Sequence, residues 1–487
     1  MDFASRNNIC LPYNSLIFEK IKLNFYMLKV ENSSFRDHKA TVYLYENKIF
    51  RKIIKNLNIN FENFLTSSFY YKNKDKIIKT KIVSLENEKK FKFIKDDNIL
   101  WLEHEKIDNI VYPYEYTFDQ LKDSAIFFLD LYIDSIKNLY EIIDASAYNI
   151  QFKNNKPIFI DIGSFNKLDK KSHILWHKQF CENYLAPLLI KSQSDLNFND
   201  LYRSNLNGIE LKYASKILPI KSWFKFNILM NIHLHTYLNH KISSSSHFKQ
   251  NKKTNIFDVK KKILIAESLK KTISNLNCKN TTYWSNYSKL NSYTNETKKN
   301  KIDAVSHFIQ NQKIKKLLDI GCNNGFFSEV SFNNGAQEII GIDSDLDSLN
   351  QSYLKFKNLG KNYFPIYQNF VNPSANIGWQ NKERKSFIDR YRYKFDGVIC
   401  LAFIHHICIG NNIPIEQFIE YLGNFSKNFL LEFISTEDKM VENLLLNKKT
   451  IIKNYDLEIL KNIIKKEYTI ISEHKISNTR TMLHFKK

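Results

Sequence analysis

The last third of the chain alternates short, nearly all-apolar runs with longer mixed segments. This is the pattern of parallel strands covered on both faces and joined by helices. Leu317-Leu318-Asp319-Ile320 is the first such run, and Ser328 to Asn333 then completes a short helix that Gly335 breaks. Glu338 to Asp343 reads as a second buried strand, Asn362 to Asn369 as a third, Phe395 to Phe403 as a fourth and Phe429 to Phe433 as a fifth. Tyr468 to Ile471 and Thr481 to Phe485 are suited to a closing antiparallel hairpin. Strands alternating with helices predict an α/β domain with a mostly parallel sheet.

The N-terminal half has a different rhythm. Thr41 to Arg51 alternates like a hairpin, and Leu121 to Ile142 repeats apolar residues at helical spacing through Ala125, Phe128, Leu129, Tyr132, Ile136 and Leu139. Ile150-Gln151-Phe152 and Ile158-Phe159-Ile160 flank a turn at Asn154 to Pro157. Ser243 to Ser246, followed by His247 to Lys253, is small, polar and charged, as a linker should be. Asn291 to Lys301 is a second polar stretch, and between them Val259 to Leu276 reads as an amphipathic connector helix. The expected division is therefore 1–242, an α+β domain; 243–300, linker and connector; and 301–487, the α/β domain.

Composition adds constraints. A chain of 487 residues exceeds what one core serves. The formal charge of +22 suggests an anionic partner, but only eight of the 72 basic residues are Arg. The charge is spread evenly in a chain rich in Asn, Ile, Phe and Tyr, which fits A/T-biased codons and gives weak evidence for RNA; no DNA partner is expected. Cys10, Cys181, Cys278, Cys322, Cys400 and Cys408 form no C-x-x-C pair and no zinc spacing. Met1 to Arg6 has no signal pattern, and no apolar run approaches the ~18 residues of a membrane span. A cytoplasmic setting and no transmembrane segment are expected.

The candidate chemistry begins at Asp319-Ile320-Gly321-Cys322-Asn323-Asn324-Gly325. Two glycines four apart after a buried strand give a sharp turn that a ligand's backbone approach requires, and the G-x-G-x-x-G run for a pyrophosphate is absent. Asp343 ends the second strand 24 residues after Asp319, near the ~20-residue gap of a ribose-binding carboxylate; alone it reads equally as a helix N-cap or strand end. Asp-x-Gly-x-x-x-Gly resembles motif I of the class I S-adenosylmethionine-dependent methyltransferases. The resemblance implies a Rossmann-like domain with a seven-stranded sheet. It implies a cofactor site of Asp319, Gly321, Asn323, Gly325, Asp343, Asn369 (at the adenine) and Leu401. His405 and His406, directly after the fourth strand, are candidate bases or an apolar-packed pair. Glu432, read at the end of the fifth strand, is a second candidate base, a solvated strand end or a structural salt bridge. Trp284 to Tyr287 is an aromatic lid over the cofactor or ordinary packing.

Asp144-x-x-x-x-Asn149, a hairpin and Asp161-Ile162-Gly163 follow the order of the protein-kinase catalytic and metal-binding loops. By that resemblance Asp144 would act on a hydroxyl, and Asn149 and Asp161 would hold magnesium beside ATP. The same residues also suit an α+β region where Asp144 caps a loop and Asp161 ends a strand. No glycine-rich loop precedes them, and Arg51 or Lys52 is the nearest phosphate-pairing candidate, so an inactive kinase-like domain is expected. Tyr112 to Tyr116, Asp144 to Phe152, Phe159 to Phe165, Phe180 to Pro187 and Asp319 to Phe327 together resemble bacterial methyltransferases of the nodulation-protein NoeA type. Gly321-Cys322-Asn323 matches that family's own pattern. The expectation is a methyltransferase acting on O or N of a small molecule, saccharide or RNA. The alternative is a bifunctional kinase–methyltransferase modifying a glycan or lipid-linked saccharide.

Overall fold

The computed structural model describes residues 28–45, 47–55, 59–84, 96, 98–237, 257–278, 295–445 and 454–487. Cys10, the linker at 243–253 and the aromatic segment at 284–287 lie outside them. Contacts gather the chain into two compact units, Met1–Asp108 with Asp161–Phe165, and Asn109–Ile160 with Asn166–Lys487.

The first unit is built on an antiparallel sheet whose strands lie in the order Lys29–Val30, Ala40–Tyr45, Lys48–Ile54, Ile99–His104 and Thr80–Ile82. β-branched and aromatic residues fill it, as a half-buried pleated surface favours. Phe50 and Trp101 are buried on one face. Phe64, Phe69 and Phe165 form a second aromatic cluster, with Phe64 and Phe165 ring centres 4.9 Å apart.

The second unit carries a sheet of seven strands. These are β1 (Lys316–Ile320), β2 (Glu338–Asp343), β3 (Tyr363–Tyr367), β4 (Gly397–Cys400), β5 (Asn428–Ile434), β6 (Thr469–Ser477) and β7 (Arg480–Lys486). Their spatial order is 3-2-1-4-5-7-6, parallel except for β7, which runs antiparallel to both β5 and β6. Leu317, Leu318 and Ile320 and their neighbours on β2 and β4 are almost fully buried because helices cover both faces. β5 reaches Ile434, so Glu432 sits within the strand and not at its end, fully buried.

Five helices organise the rest: α1 (Phe118–Lys137), α2 (Val259–Ser274), α3 (Asn295–Asn311), α4 (Phe326–Asn333) and α5 (Leu346–Asn358). α1 starts three residues before the helix expected from periodicity, because Thr117 and Gln120 form a reciprocal capping box. It also stops earlier. Leu139 takes a left-handed φ of 66°, and Tyr140–Ile142, expected to be helical, forms a strand. The hairpin turn is tighter than expected, with Asn154 and Asn155 alone at positive φ and Lys156–Phe159 already paired to Ile150–Lys153. α3 absorbs most of the second polar stretch, and Lys301 on it is buried.

α1 and α5 meet along a polar seam. The backbone N–H of Asp119 donates to Asn350 Oδ1 at 2.8 Å, Asn350 Nδ2 returns a bond to Asp119 Oδ2 at 2.7 Å, and Tyr353 Oη donates to Asp123 Oδ2 at 2.6 Å. Lys191, on the helix Ala186–Ser194, pairs with Asp347 at 3.0 Å, both all but inaccessible to water. Asp347, Asn350 and Tyr353 are spaced three apart and so share one face of α5. That face turns the helix following β2 toward the N-terminal segments of the unit. No helix among the described residues is long and apolar enough to cross a membrane.

Candidate active site

Five expected residues meet at the carboxyl ends of β1 and β2. Gly321 (φ 72°), Asn323 (φ 50°) and Gly325 (φ 74°) all take left-handed backbone angles, so the chain turns sharply between β1 and α4. The N–H groups of Gly321 and Cys322 donate to the Ile342 carbonyl at 2.9 and 3.1 Å, tying the turn to β2. A Cβ on Gly321 would stand 2.7 Å from the Phe403 ring, and one on Gly325 would stand 2.5 Å from the Phe356 ring. Phe403 was not singled out in the sequence, and nothing local marks it; it reaches the turn only through the β1–β4 pairing.

Asp343 points its carboxylate into this turn. Oδ2 accepts the Asn323 N–H and Oδ1 the Asp345 N–H, each at 2.8 Å. Burial pushes its carboxyl up to about 6, against the pull of those backbone donors. Asp319 lies deeper. Burial pushes it up to about 7, while Ser328 Oγ holds it with a 2.5 Å bond and the Asp343 charge adds to the rise. Ser328, fully buried in the first turn of α4, is a site residue that sequence reasoning passed over.

The remaining candidates surround that centre. Asn369 is exposed in the loop after β3, its Oδ1 accepting the Val371 N–H at 3.1 Å. Leu401 is buried at the end of β4 and belongs to the core cluster. Next to it, Ala402 takes φ 49° and donates its N–H to Glu432 Oε2 at 2.8 Å. The same oxygen accepts Lys301 Nζ at 2.8 Å, and Arg480 approaches Oε1 at 3.5 Å while forking onto Asp438. Glu432 is thus an anchor for the post-β4 turn, held by two buried cations.

His405 is buried with its ring 4.1 Å from that of His406, and its Nδ1 has no hydrogen-bond partner. Burial, then the His406, Arg480 and Lys301 charges, hold it well below the ordinary histidine range despite the opposing Asp438 carboxylate. His406 is half-buried and lowered by burial alone. Burial thus favours the neutral form of both imidazoles, more strongly at His405.

Of the kinase-like residues, Asp161 is ion-paired with Arg51, which the strand Lys48–Ile54 presents to it. A Cβ on Gly163 would stand 2.7 Å from the same guanidinium. Asp144 Oδ1 accepts the Ser146 N–H at 2.8 Å and Gln179 Nε2 at 2.7 Å, so it caps its own loop. Asn149 Nδ2 is buried without a hydrogen-bond partner. Among the described residues no group of three or more His, Cys, Asp or Glu is placed to hold a metal.

The sheet order, the left-handed glycine turn and the strand-end carboxylate are those of a Rossmann-like α/β unit that takes a ligand at the carboxyl ends of its strands. No family model matches the chain. It is 30% identical over 394 residues to the nodulation protein NoeA of Rhizobium meliloti (strain 1021), a match that covers 79% of this chain and 81% of that protein. The chain belongs to the NoeA family. Among solved structures it is similar to magnesium protoporphyrin IX methyltransferase (ChlM) from Synechocystis PCC 6803, solved with bound SAH. That likeness has 16% identity, TM-score 0.30 and coverage of 43% of this chain and 95% of that one. The bifunctional kinase-methyltransferase WbdD matches at 18% identity and TM-score 0.27 over 39% of each chain, well under two thirds of its length.

Proposed function

We propose that the protein transfers a methyl group from S-adenosylmethionine to an O or N nucleophile, with residues 301–487 as the catalytic module. In this reading 1–242, joined through 243–300, recruits the acceptor or regulates the transfer. The observation that carries the proposal is Asp343 at the mouth of the Gly321–Gly325 turn. A carboxylate offers about four acceptor positions, and two backbone N–H groups use two of them. The others would suit the paired ribose hydroxyls, while the left-handed turn at Gly321 and Gly325 would present its backbone to the cofactor's amino-acid end. Asn369 and Leu401 would border the adenine. When bound, the cofactor supplies an electrophilic methyl on a cationic sulfur, so the protein's work is positioning and proton removal. His406, neutral and less enclosed than His405, is the group we assign to take the acceptor's proton. Glu432 holds the post-β4 turn beneath it.

The N-terminal half is read as kinase-like but inert. Asp161, the expected magnesium ligand, already has a guanidinium as counter-ion, and an incoming cation would have to displace it. The test is incubation of purified protein with methyl-labelled cofactor and fractionated cell extract. Wild type should label one fraction, and Asp343→Ala none. Label in a saccharide, RNA or small-molecule fraction would name the acceptor class. Absence of both label and calorimetric cofactor binding by the wild type would overturn the reading.

A further inference from the structure

The segment Leu211–Tyr237 carries lysines at 212, 216, 221 and 225 and not one acidic residue. Its apolar residues divide into two sets. Ala214, Leu218, Ile228 and Ile232 are buried and anchor it. Ile220, Phe224 and Phe226 are 80%, 86% and 72% exposed, with Trp223 and Met230 also open to solvent.

This outward display is held in place. Ser215 and Ser222 grip the two ring nitrogens of buried His233, each at 2.8 Å, and the Trp223 indole stacks on the same imidazole at 4.1 Å and 12°. The N–H groups of Ser222 and Lys225 are satisfied within the short helical turn Ile220–Phe224, by the carbonyls of Pro219 and Ser222. Backbone polar groups at this tip are therefore spent internally, while large apolar side chains project from it. Exposed apolar clusters of this kind mark interaction surfaces. Lys212 pairs with Glu210 at 2.7 Å, but Lys216, Lys221 and Lys225, all exposed, make the chemistry of the partner anionic on its rim and apolar within.

We propose that this surface docks the protein onto an anionic lipid bilayer. Phe224, Phe226 and Ile220 would enter the boundary between headgroups and acyl chains, with Trp223 at headgroup depth. Lys216, Lys221 and Lys225 would meet the lipid phosphates, their stems lying along the apolar layer. Charge complementarity selects this occupant over a neutral protein groove. Docking does not depend on the methyl-transfer reading.

The test uses the full chain sedimented with phosphatidylcholine vesicles, with and without phosphatidylglycerol. Wild type should bind the anionic vesicles far better than the neutral ones, and added salt should weaken it. Phe224→Asp with Phe226→Asp should lower partitioning at least about tenfold. Lys221→Glu and Lys225→Glu should each lower it about fivefold or more. Melting temperature and cofactor affinity should not move, since all four side chains are exposed. Equal binding to both vesicle types, no binding at all, or variants that bind like wild type would each overturn the proposal. So would light scattering that finds a wild-type dimer made monomeric by the double Asp variant, because the patch would then face a second copy.

Discussion

Asp343 is the residue that carries the proposed cofactor site, and its chemistry has a pH signature. On the proposed reading, S-adenosylmethionine recognition needs the ionised carboxylate, whose value burial pushes up to about 6. Affinity should therefore rise with pH through about 6 and level off above it, measured calorimetrically. Asp343→Ala should lose roughly 1.5–3 kcal/mol of binding, the worth of charge-assisted hydrogen bonds, and should lose the pH dependence with it. Asp319 affects stability in the same range. Its folded value, about 7, lies above that of the unfolded chain, so its favourable contribution is present below about pH 4 and is lost as pH rises through about 7. Asp319→Asn should flatten that limb of denaturant stability between about pH 4 and 7.

Gly321 separates two causes of intolerance. The left-handed backbone disfavours any side chain by about 1–2 kcal/mol, and the Phe403 ring stands where the Cβ would be. Gly321→Ala should lower the unfolding free energy and abolish cofactor binding. Adding Phe403→Ala should recover the steric part alone. Full recovery of stability in the double variant would mean that backbone strain contributes nothing there.

At the scale of elements, the ion pair between Lys191 and Asp347 fixes how α5 is held, and through it the β2–α5 junction that carries Asp343. The pair is buried, so breaking one side leaves an uncompensated charge. Lys191→Met should destabilise by about 3–5 kcal/mol in urea denaturation, whereas Lys191→Met with Asp347→Leu should recover most of the loss. A single variant as stable as wild type would mean the pair is hydrated. The same logic governs Glu432, which holds Ala402 while Lys301 and Arg480 neutralise it.

For the whole molecule, the question is whether one or two ligands act. S-adenosylmethionine should raise the melting temperature by mass action. Millimolar ATP with magnesium should not, because Arg51 already neutralises Asp161. Asp161→Asn should leave cofactor affinity unchanged. An ATP-dependent thermal shift, lost in that variant, would make this a two-activity enzyme.

Local pattern was enough for the outline of the seven-stranded sheet and for the glycine turn after β1, but not for Tyr140–Ile142, which it read as helix. Leu317 to Gly325 stands out because a strand covered on both faces is mostly apolar, Asp319 being the exception, and a sharp turn favours glycine. Asp343 followed from a spacing that the strand–helix–strand unit imposes. Periodicity found α1 but neither of its ends: the Thr117–Gln120 capping box starts it earlier, and Leu139 continues the apolar period while its backbone reverses. What the chain order hides is every pairing made across it. Lys301 looks like part of a polar linker until Glu432, 131 residues away, gives it a buried partner. Arg51 and Asp161 are 110 residues apart, and their ion pair is visible only in the fold. Phe403 gains its place over Gly321 from the β1–β4 register. The exposure of Phe224 and Phe226 is likewise decided by the fold. Sequence sets what each segment prefers by itself; desolvation and charge pairing depend on which segments meet, and that was settled only in three dimensions.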